Sequence, residues 1–392
     1  MAAGGAPSPL RSSEAPQQAT FIELFFDLAF VVAQFQLSRG LLHNLTWSGL
    51  FEWLLMLLTV WLLWFGTTWI TNRFDPHQLA IRIMILGTLV GSLVMAAALP
   101  TAFGTGGLLF AGAFAAILVG RSVIAIVIIP SGMRREAGRP LFWDGVLAVL
   151  WIGGALVSGA GRGTLWTVAV VAEFTVFAVG FPTPGIGRLP KSESPVLAEH
   201  MSERYRQFLI IALGESFLVI GLTLSASTAT DRGAAFLVSI ATTVLLWRIY
   251  IYRAGELLSQ AMAAVANPGR LAVWASYAHL VMVAGSLVSS VGAELVLTHP
   301  LGHSHPAWVA VILGGPALFL AGRSIFEYTV FARVSPDRPI GFLVLVALIP
   351  ATLHTPPLVS AAAGAVVLLG IAIVDKSRAI RSPAETPSPP ES

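Results

Sequence analysis

The chain has 392 residues, of which 56% are apolar and only 11% charged, against roughly a quarter charged in an ordinary soluble domain. A soluble chain of this size needs more polar surface to cover its cores, and the apolar residues run in stretches near bilayer length, so the class is that of an integral membrane protein. Cysteine is absent, which excludes disulfides, thiolate metal sites, iron–sulfur clusters and cysteine nucleophiles. The formal net charge of +3 requires no nucleic-acid partner, because the basic residues gather in loops on one side.

Residues 1–20 are rich in Pro, Ser and Ala and show no charged start followed by an apolar stretch. They read as a disordered tail rather than a cleavable signal, so the first span is expected to remain in the mature protein. Twelve helices are expected, near 21–38, 50–70, 81–99, 106–130, 142–160, 163–181, 206–225, 234–252, 271–297, 307–330, 340–353 and 356–374. Backbone groups in hydrocarbon must be satisfied within their own segment, which makes helices the reading for such runs. The eleventh is short and meets Pro350 and Pro356, so a broken or re-entrant segment and a count of ten or eleven spans stay open. Residues 182–205 read as a cytoplasmic linker, and 375–392, ending SPAETPSPPES, as a second disordered tail.

Numbered from the N-terminus, the tails and even-numbered loops carry seventeen basic residues, among them Arg73, Arg134, Arg135, Arg139, Arg204 and Arg338, whereas odd-numbered loops carry only Arg39, Arg162 and Arg232. This positive-inside bias places both termini in the cytoplasm and favours an even number of spans.

The chain also resembles itself. Phe26–Val32 lines up with Gly214–Ile220, Leu62-Leu63-Trp64 with Leu245-Leu246-Trp247, Met84–Val90 with Met282–Val288, and Gly120–Val123 with Gly322–Ile325, in the same order. Two of the four matches carry intramembrane charges, which apolar similarity alone does not explain. The fold class expected is therefore all-α, a polytopic transmembrane bundle of about 12 spans in two parallel six-helix repeats, 21–181 and 206–374. Transporters built this way place their sites at the interface between repeats.

Charged side chains inside spans are retained where they face the bundle interior and find a partner. Glu23 and Asp27 lie four apart on one face of the first helix. Asp27, Arg121, Glu215, His279 and Arg323 are expected at one depth, with Asp27 paired to Arg121 and Glu215 to Arg323, one pair per half. The same pairs could serve only to fix helix register. Glu173, Glu294 and Glu52 read as interfacial, with side chains reaching for the headgroup region. Trp53, Trp61, Trp64 and Trp69 read as interface belt and packing, and Gly87-x-x-x-Gly91 as an ordinary helix-packing signal. His299, His303 and His305 share one loop but have no carboxylate beside them, so no metal site is assigned. No phosphate-binding glycine loop, zinc-protease helix or nucleophile elbow is present, and neither a catalytic residue nor a cofactor is assigned.

Phe21-Ile22-Glu23-Leu24-Phe25-Phe26-Asp27-Leu28-Ala29-Phe30-Val31 resembles the opening signature of the bacterial low-temperature-requirement A (LtrA) proteins. So do Asn72–Asp75, His200–Tyr205, Ile210–Ser216 and Tyr277–Leu280. Where that family commonly runs Trp-Leu-Tyr-Phe-Asp after the eighth span, this chain has Arg248-Ile249-Tyr250-Ile251-Tyr252, so a role tied to that carboxylate does not carry over. Only two of the 23 basic residues are Lys, which suits a GC-rich bacterial genome. The resemblance implies a multi-span inner-membrane protein named for growth in the cold, and it supplies neither substrate nor reaction.

Paired acids and bases in a duplicated bundle favour a secondary transporter or ion-coupled permease, with Glu23, Asp27, Arg121, Glu215, His279 and Arg323 binding its substrate or ion. Its partners would be the lipid bilayer and a small molecule or ion. The alternative is a membrane-embedded enzyme that uses the same acids for proton transfer on a lipid or other apolar molecule. A third reading is a structural or sensory protein whose charges only hold helices together.

Overall fold

A computed structural model describes residues 9–11, 18–129, 134–188, 196–225, 232–381 and 385–390. Among them the chain forms α1 (Phe21–His43), α2 (Trp47–Arg73), α3 (Leu79–Ala98), α4 (Gly107–Ile128), α5 (Arg134–Leu156), α6 (Ala160–Val179), α7 (Ala198–Ser225), α8 (Arg232–Tyr250), α9 (Glu256–Ala264), α10 (Pro268–Thr298), α11 (Pro306–Phe331), α12 (Asp337–Ala351) and α13 (Pro357–Arg381). With α8 and α9 counted as one broken helix, eleven are long and apolar enough to cross a membrane. The all-α polytopic class is borne out.

Local chemistry accounts for the helix ends. Thr20 and Glu23 form one side of a capping box, the Glu23 carboxylate accepting the Thr20 N–H at 2.8 Å. Asn267 caps α10 by accepting the Arg270 N–H at 3.1 Å, with Pro268 at the first helical position, where its missing donor costs nothing. Gly180 ends α6 in the left-handed conformation, φ 78°. Inside the helices, Thr59, Thr67, Thr88 and Ser289 return their hydroxyls to the carbonyl four residues back, which satisfies them without a partner helix.

Two compact units divide the chain, residues 1–36 with 51–201 and residues 37–50 with 202–392. In the second, α10 and α11 approach backbone to backbone. A Cβ on Gly285 would stand 2.4 Å from the Phe319 nitrogen, one on Gly315 2.5 Å from the Ser289 nitrogen, and one on Gly322 2.7 Å from the Met282 nitrogen. Small residues permit this approach, which lets dispersion contacts hold the two helices in the absence of a hydrophobic driving force.

The short α12 still runs the length of its neighbours. At its start Arg338 donates to both carboxylate oxygens of Asp375, near the end of α13, at 2.8 and 2.7 Å. Beyond its other end Thr355 accepts the Ser304 hydroxyl at 2.7 Å, and Leu358 donates to Pro300 at 3.1 Å, both in the α10–α11 loop. From Pro357 to Asp375 α13 rises about 27 Å, so fifteen helical residues plus the turn after Ala351 traverse a layer of about hydrocarbon thickness.

Several boundaries differ from expectation. Helix α7 starts at Ala198, inside the segment read as linker, and α13 continues to Arg381, past the expected end at 374. Polar residues fill both extensions, and hydropathy marks the hydrocarbon-length part of a helix rather than its end. Parts of the expected tails are also placed: Arg11 N–H bonds Arg73, Asp75 N–H bonds Pro9, and Ser388 N–H bonds Val330, at 3.0, 3.0 and 3.1 Å. The rest of the expected N-terminal tail, Lys191 with the centre of the linker, and residues 382–384, 391 and 392 lie outside the described residues.

Candidate functional site

In the first unit, residues of the signature motifs gather at the start of α1. The buried Glu23 carboxylate accepts from Thr20 N–H and Oγ1 and bonds His200 Nε2, each at 2.8 Å, with Arg11 at 4.0 Å. Asn72 Oδ1 accepts the Leu197 N–H at 3.2 Å, and Asp75 accepts the His77 N–H at 2.9 Å in an Asx turn. Glu23 therefore ties the start of α1 to the start of α7.

One turn on, Asp27 accepts the Trp64 indole N–H at 3.0 Å, both residues almost wholly buried. Arg121 on α4 meets the same turn of α2 from another side, donating to Leu63 O at 3.1 Å and Thr67 Oγ1 at 2.9 Å. Gly66 makes room for it, since a Cβ there would lie 3.1 Å from the guanidinium. The acids whose charges act on Arg121 are Asp144 on α5 and Glu173 on α6. Asp144 accepts the Ser122 hydroxyl at 2.5 Å. Glu173, read from sequence as interfacial, has a buried Oε2 without a hydrogen-bond partner. The expected direct pair of Asp27 with Arg121 is thus replaced by separate contacts to one turn of α2.

In the second unit, His279 is enclosed by aromatic rings, stacked on Tyr205 at 5.2 Å and edge-on to Phe326 at 4.7 Å. Its Nδ1 lies 2.7 Å from Ala275 O and its Nε2 3.1 Å from the Tyr250 hydroxyl. A carbonyl only accepts, so Nδ1 carries a proton; in the neutral imidazole Nε2 then accepts from the Tyr250 hydroxyl. Just beyond Tyr250 the helix breaks over residues 251–255, with Tyr252 at ψ 114° and Arg253 at φ 52°. Arg323 on α11 bonds the carbonyls exposed by the break, Ile249 O at 3.0 Å and Tyr252 O at 2.8 Å. The Tyr252 ring lies within cation–π range of Arg248 and Arg253, 5.8 and 5.2 Å away. Tyrosine at this position thus serves the two basic residues that flank it.

Glu215 does not meet Arg323. Tyr205 on α7 stands level with His279, and Glu215 lies ten residues further on, about 15 Å along the helix. The expected single charge layer fails in this unit because α7 begins eight residues earlier than the apolar run suggests. Glu215 is 0% exposed, and neither of its carboxylate oxygens has a hydrogen-bond partner. Ser38 on α1 and Ser290 on α10 lie against it without bonding geometry.

Sequence reasoning passed over a second buried network in this unit. Glu327 accepts from Ser335 N–H at 3.1 Å and from the Ser335 hydroxyl, and lies 3.4 Å from Arg338 Nε and 3.5 Å from Arg323. Arg338 and Asp375 are both wholly buried, and Arg378 donates to Asp337 at 2.6 Å. The tail residue Glu385 pairs with Arg253 and Arg333. Asp144, Glu327 and Asp375 sit within a few residues of expected span ends, where hydropathy alone does not mark a charge as buried.

Two of the three basic residues on the sparsely charged side have structural work. Arg39 donates to Glu294 at 2.5 Å. Arg162 gathers the carbonyls of Ala102 at 2.8 Å, Gly104 at 2.7 Å, Ala155 at 3.2 Å and Val157 at 3.1 Å, closing the C-terminal end of α5. His299 and His305 each pack on Trp308, with ring centroids 4.9 Å apart.

Membrane-length helices with ionisable groups held between them define a multi-span integral membrane protein. Residues 18–373 match the model of the Bacterial low temperature requirement A protein (LtrA) family, and the chain belongs to that family. It is 35% identical over 324 residues to the Uncharacterized protein RA0937 of Rhizobium meliloti (strain 1021), covering 81% of this chain and 79% of that one. No solved structure matches it.

Proposed function

We propose that the chain is a cation-coupled secondary transporter of the bacterial inner membrane, with Asp27 and Glu215 as its coupling carboxylates. One observation carries the reading: Glu215 is fully buried in a membrane-length helix and both its carboxylate oxygens lack a hydrogen-bond partner. A carboxyl kept only for architecture would be tied down, as Glu23 and Glu327 are. One without bonds retains its cost unless a mobile positive charge neutralises it during function.

The bonding of the two arginines supports an internal duplication. Arg121 on the fourth helix of the first half and Arg323 on the corresponding helix of the second each donate to backbone carbonyls of the second helix in their half. The full traverse of α12 supports an even number of crossings, and with the charge bias it supports two cytoplasmic termini.

The test is flux in proteoliposomes under an imposed sodium or proton gradient, screened over metal ions and amphiphiles. Gradient-driven uptake that is lost in Glu215→Gln, while that variant still reconstitutes, supports the assignment. Failure of every gradient to drive any solute with folded protein would overturn it.

A further inference from the structure

Glu215 on α7, Ser38 on α1 and Ser290 on α10 are 0%, 1% and 0% exposed, and none of their four side-chain oxygens has a hydrogen-bond partner. Such groups are costly to bury unpaired. Many other span hydroxyls, though not Thr68, solve this by bonding the carbonyl four residues back. Ser289 does so to Gly285 at 2.7 Å, while the adjacent Ser290 does not. The surrounding charge is already balanced: Glu294, one turn beyond Ser290, is held by Arg39, the residue after Ser38. One carboxyl flanked by two neutral hydroxyls is left over.

We propose that Glu215, Ser38 and Ser290 form a binding site for a small monovalent cation, with sodium as its probe. Carboxylate and hydroxyl oxygens are hard donors that suit alkali ions. A single uncommitted carboxylate matches a single positive charge, and among the described residues there is no group of three His, Asp or Glu that would favour a divalent or transition ion. The site deepens the transporter reading and rests on it only for the use made of the ion. Binding itself is tested separately.

The experiment is equilibrium binding of radioactive sodium to the full-length protein purified in detergent, with lithium and potassium as competitors. Wild type is expected to bind one sodium per chain saturably. Glu215→Gln should abolish binding, and Ser38→Ala and Ser290→Ala should each weaken it roughly tenfold, equivalent to the loss of one good contact. Size-exclusion profiles establish that each variant is folded. Should Glu215→Gln not fold, the serine variants decide the matter: weakened binding supports the site and unchanged affinity overturns it. Folded wild type that binds no sodium also overturns it, even if flux proves to be proton-driven and the transporter reading stands. Sodium binding without flux of any solute would leave the site in place and remove the transporter.

Discussion

The Trp64 indole N–H donates to the Asp27 carboxylate at 3.0 Å inside the first unit, with less than 2% of either residue exposed. An indole only donates, so it accepts either a carboxylate or an amide oxygen as its partner. Asp27→Asn should keep this bond by turning its carbonyl toward Trp64, and so retain folded yield within about twofold of wild type. Trp64→Phe strips the donor and should lower stability by about 1–3 kcal/mol, read as a lower melting temperature in detergent. If Asp27 couples ions, flux in the Asn variant should fall at least tenfold despite its normal folding. An Asn variant that transports normally would remove Asp27 from the coupling set.

Adjacent glycines on α11 give a sharper test of packing. A Cβ on Gly315 would meet the Ser289 backbone at 2.5 Å, whereas one on Gly314 would meet nothing within 4 Å. Gly315→Ala must push α10 and α11 apart, and overpacking of this kind costs about 1–3 kcal/mol or more where backbone is the obstacle. Folded yield and melting temperature should fall for Gly315→Ala and hold for Gly314→Ala. Equal behaviour of the two variants would mean that the helices are not in this register.

Arg338 and Asp375 are fully buried and share two hydrogen bonds of 2.8 and 2.7 Å. Removing one partner leaves the other charge uncompensated, which costs about 3–5 kcal/mol for a buried pair. Arg338→Gln and Asp375→Asn should each destabilise strongly, and the double variant should recover part of the loss. Additive losses in a double-mutant cycle would show that the two residues act through Glu327 and Arg378 rather than through each other.

The sequence made helix identity legible because hydrocarbon imposes one backbone solution on every long apolar run. It was less informative about ends: Ala198–Tyr205 carries Glu199, His200, Glu203 and Arg204, and so reads as loop, although it is the first two turns of α7. That error propagated into the site. Depths counted from the apolar run put Glu215 level with Arg323, whereas the true start places it about 15 Å away along the bundle. Partners were harder still, because they depend on which way each helix face turns. Nothing in the spacing of Trp61, Trp64 and Trp69 marks Trp64 as the donor to Asp27, or shows that Arg121 would bond Leu63 and Thr67.

The last prediction concerns α12, whose fifteen residues fall short of an ordinary span. Its first turn is anchored to Asp375 and the turn after its last residue to Ser304, so it joins opposite ends of α13 and is expected to make a crossing of its own. If so, the α2–α3 loop and the end of α13 lie on the same side of the membrane, and the α10–α11 loop lies on the other. The absence of native cysteine makes this directly measurable with single exposed substitutions. His77→Cys and Arg381→Cys should resist a membrane-impermeant thiol reagent applied to intact cells and react once the membrane is opened, while His303→Cys should react from outside. Labelling of Arg381→Cys from outside would mean that α12 turns back within the membrane. It would also leave the charge bias at the C-terminus without an explanation, because Lys376, Arg378 and Arg381 would then face the side where the other loops carry almost no basic residues.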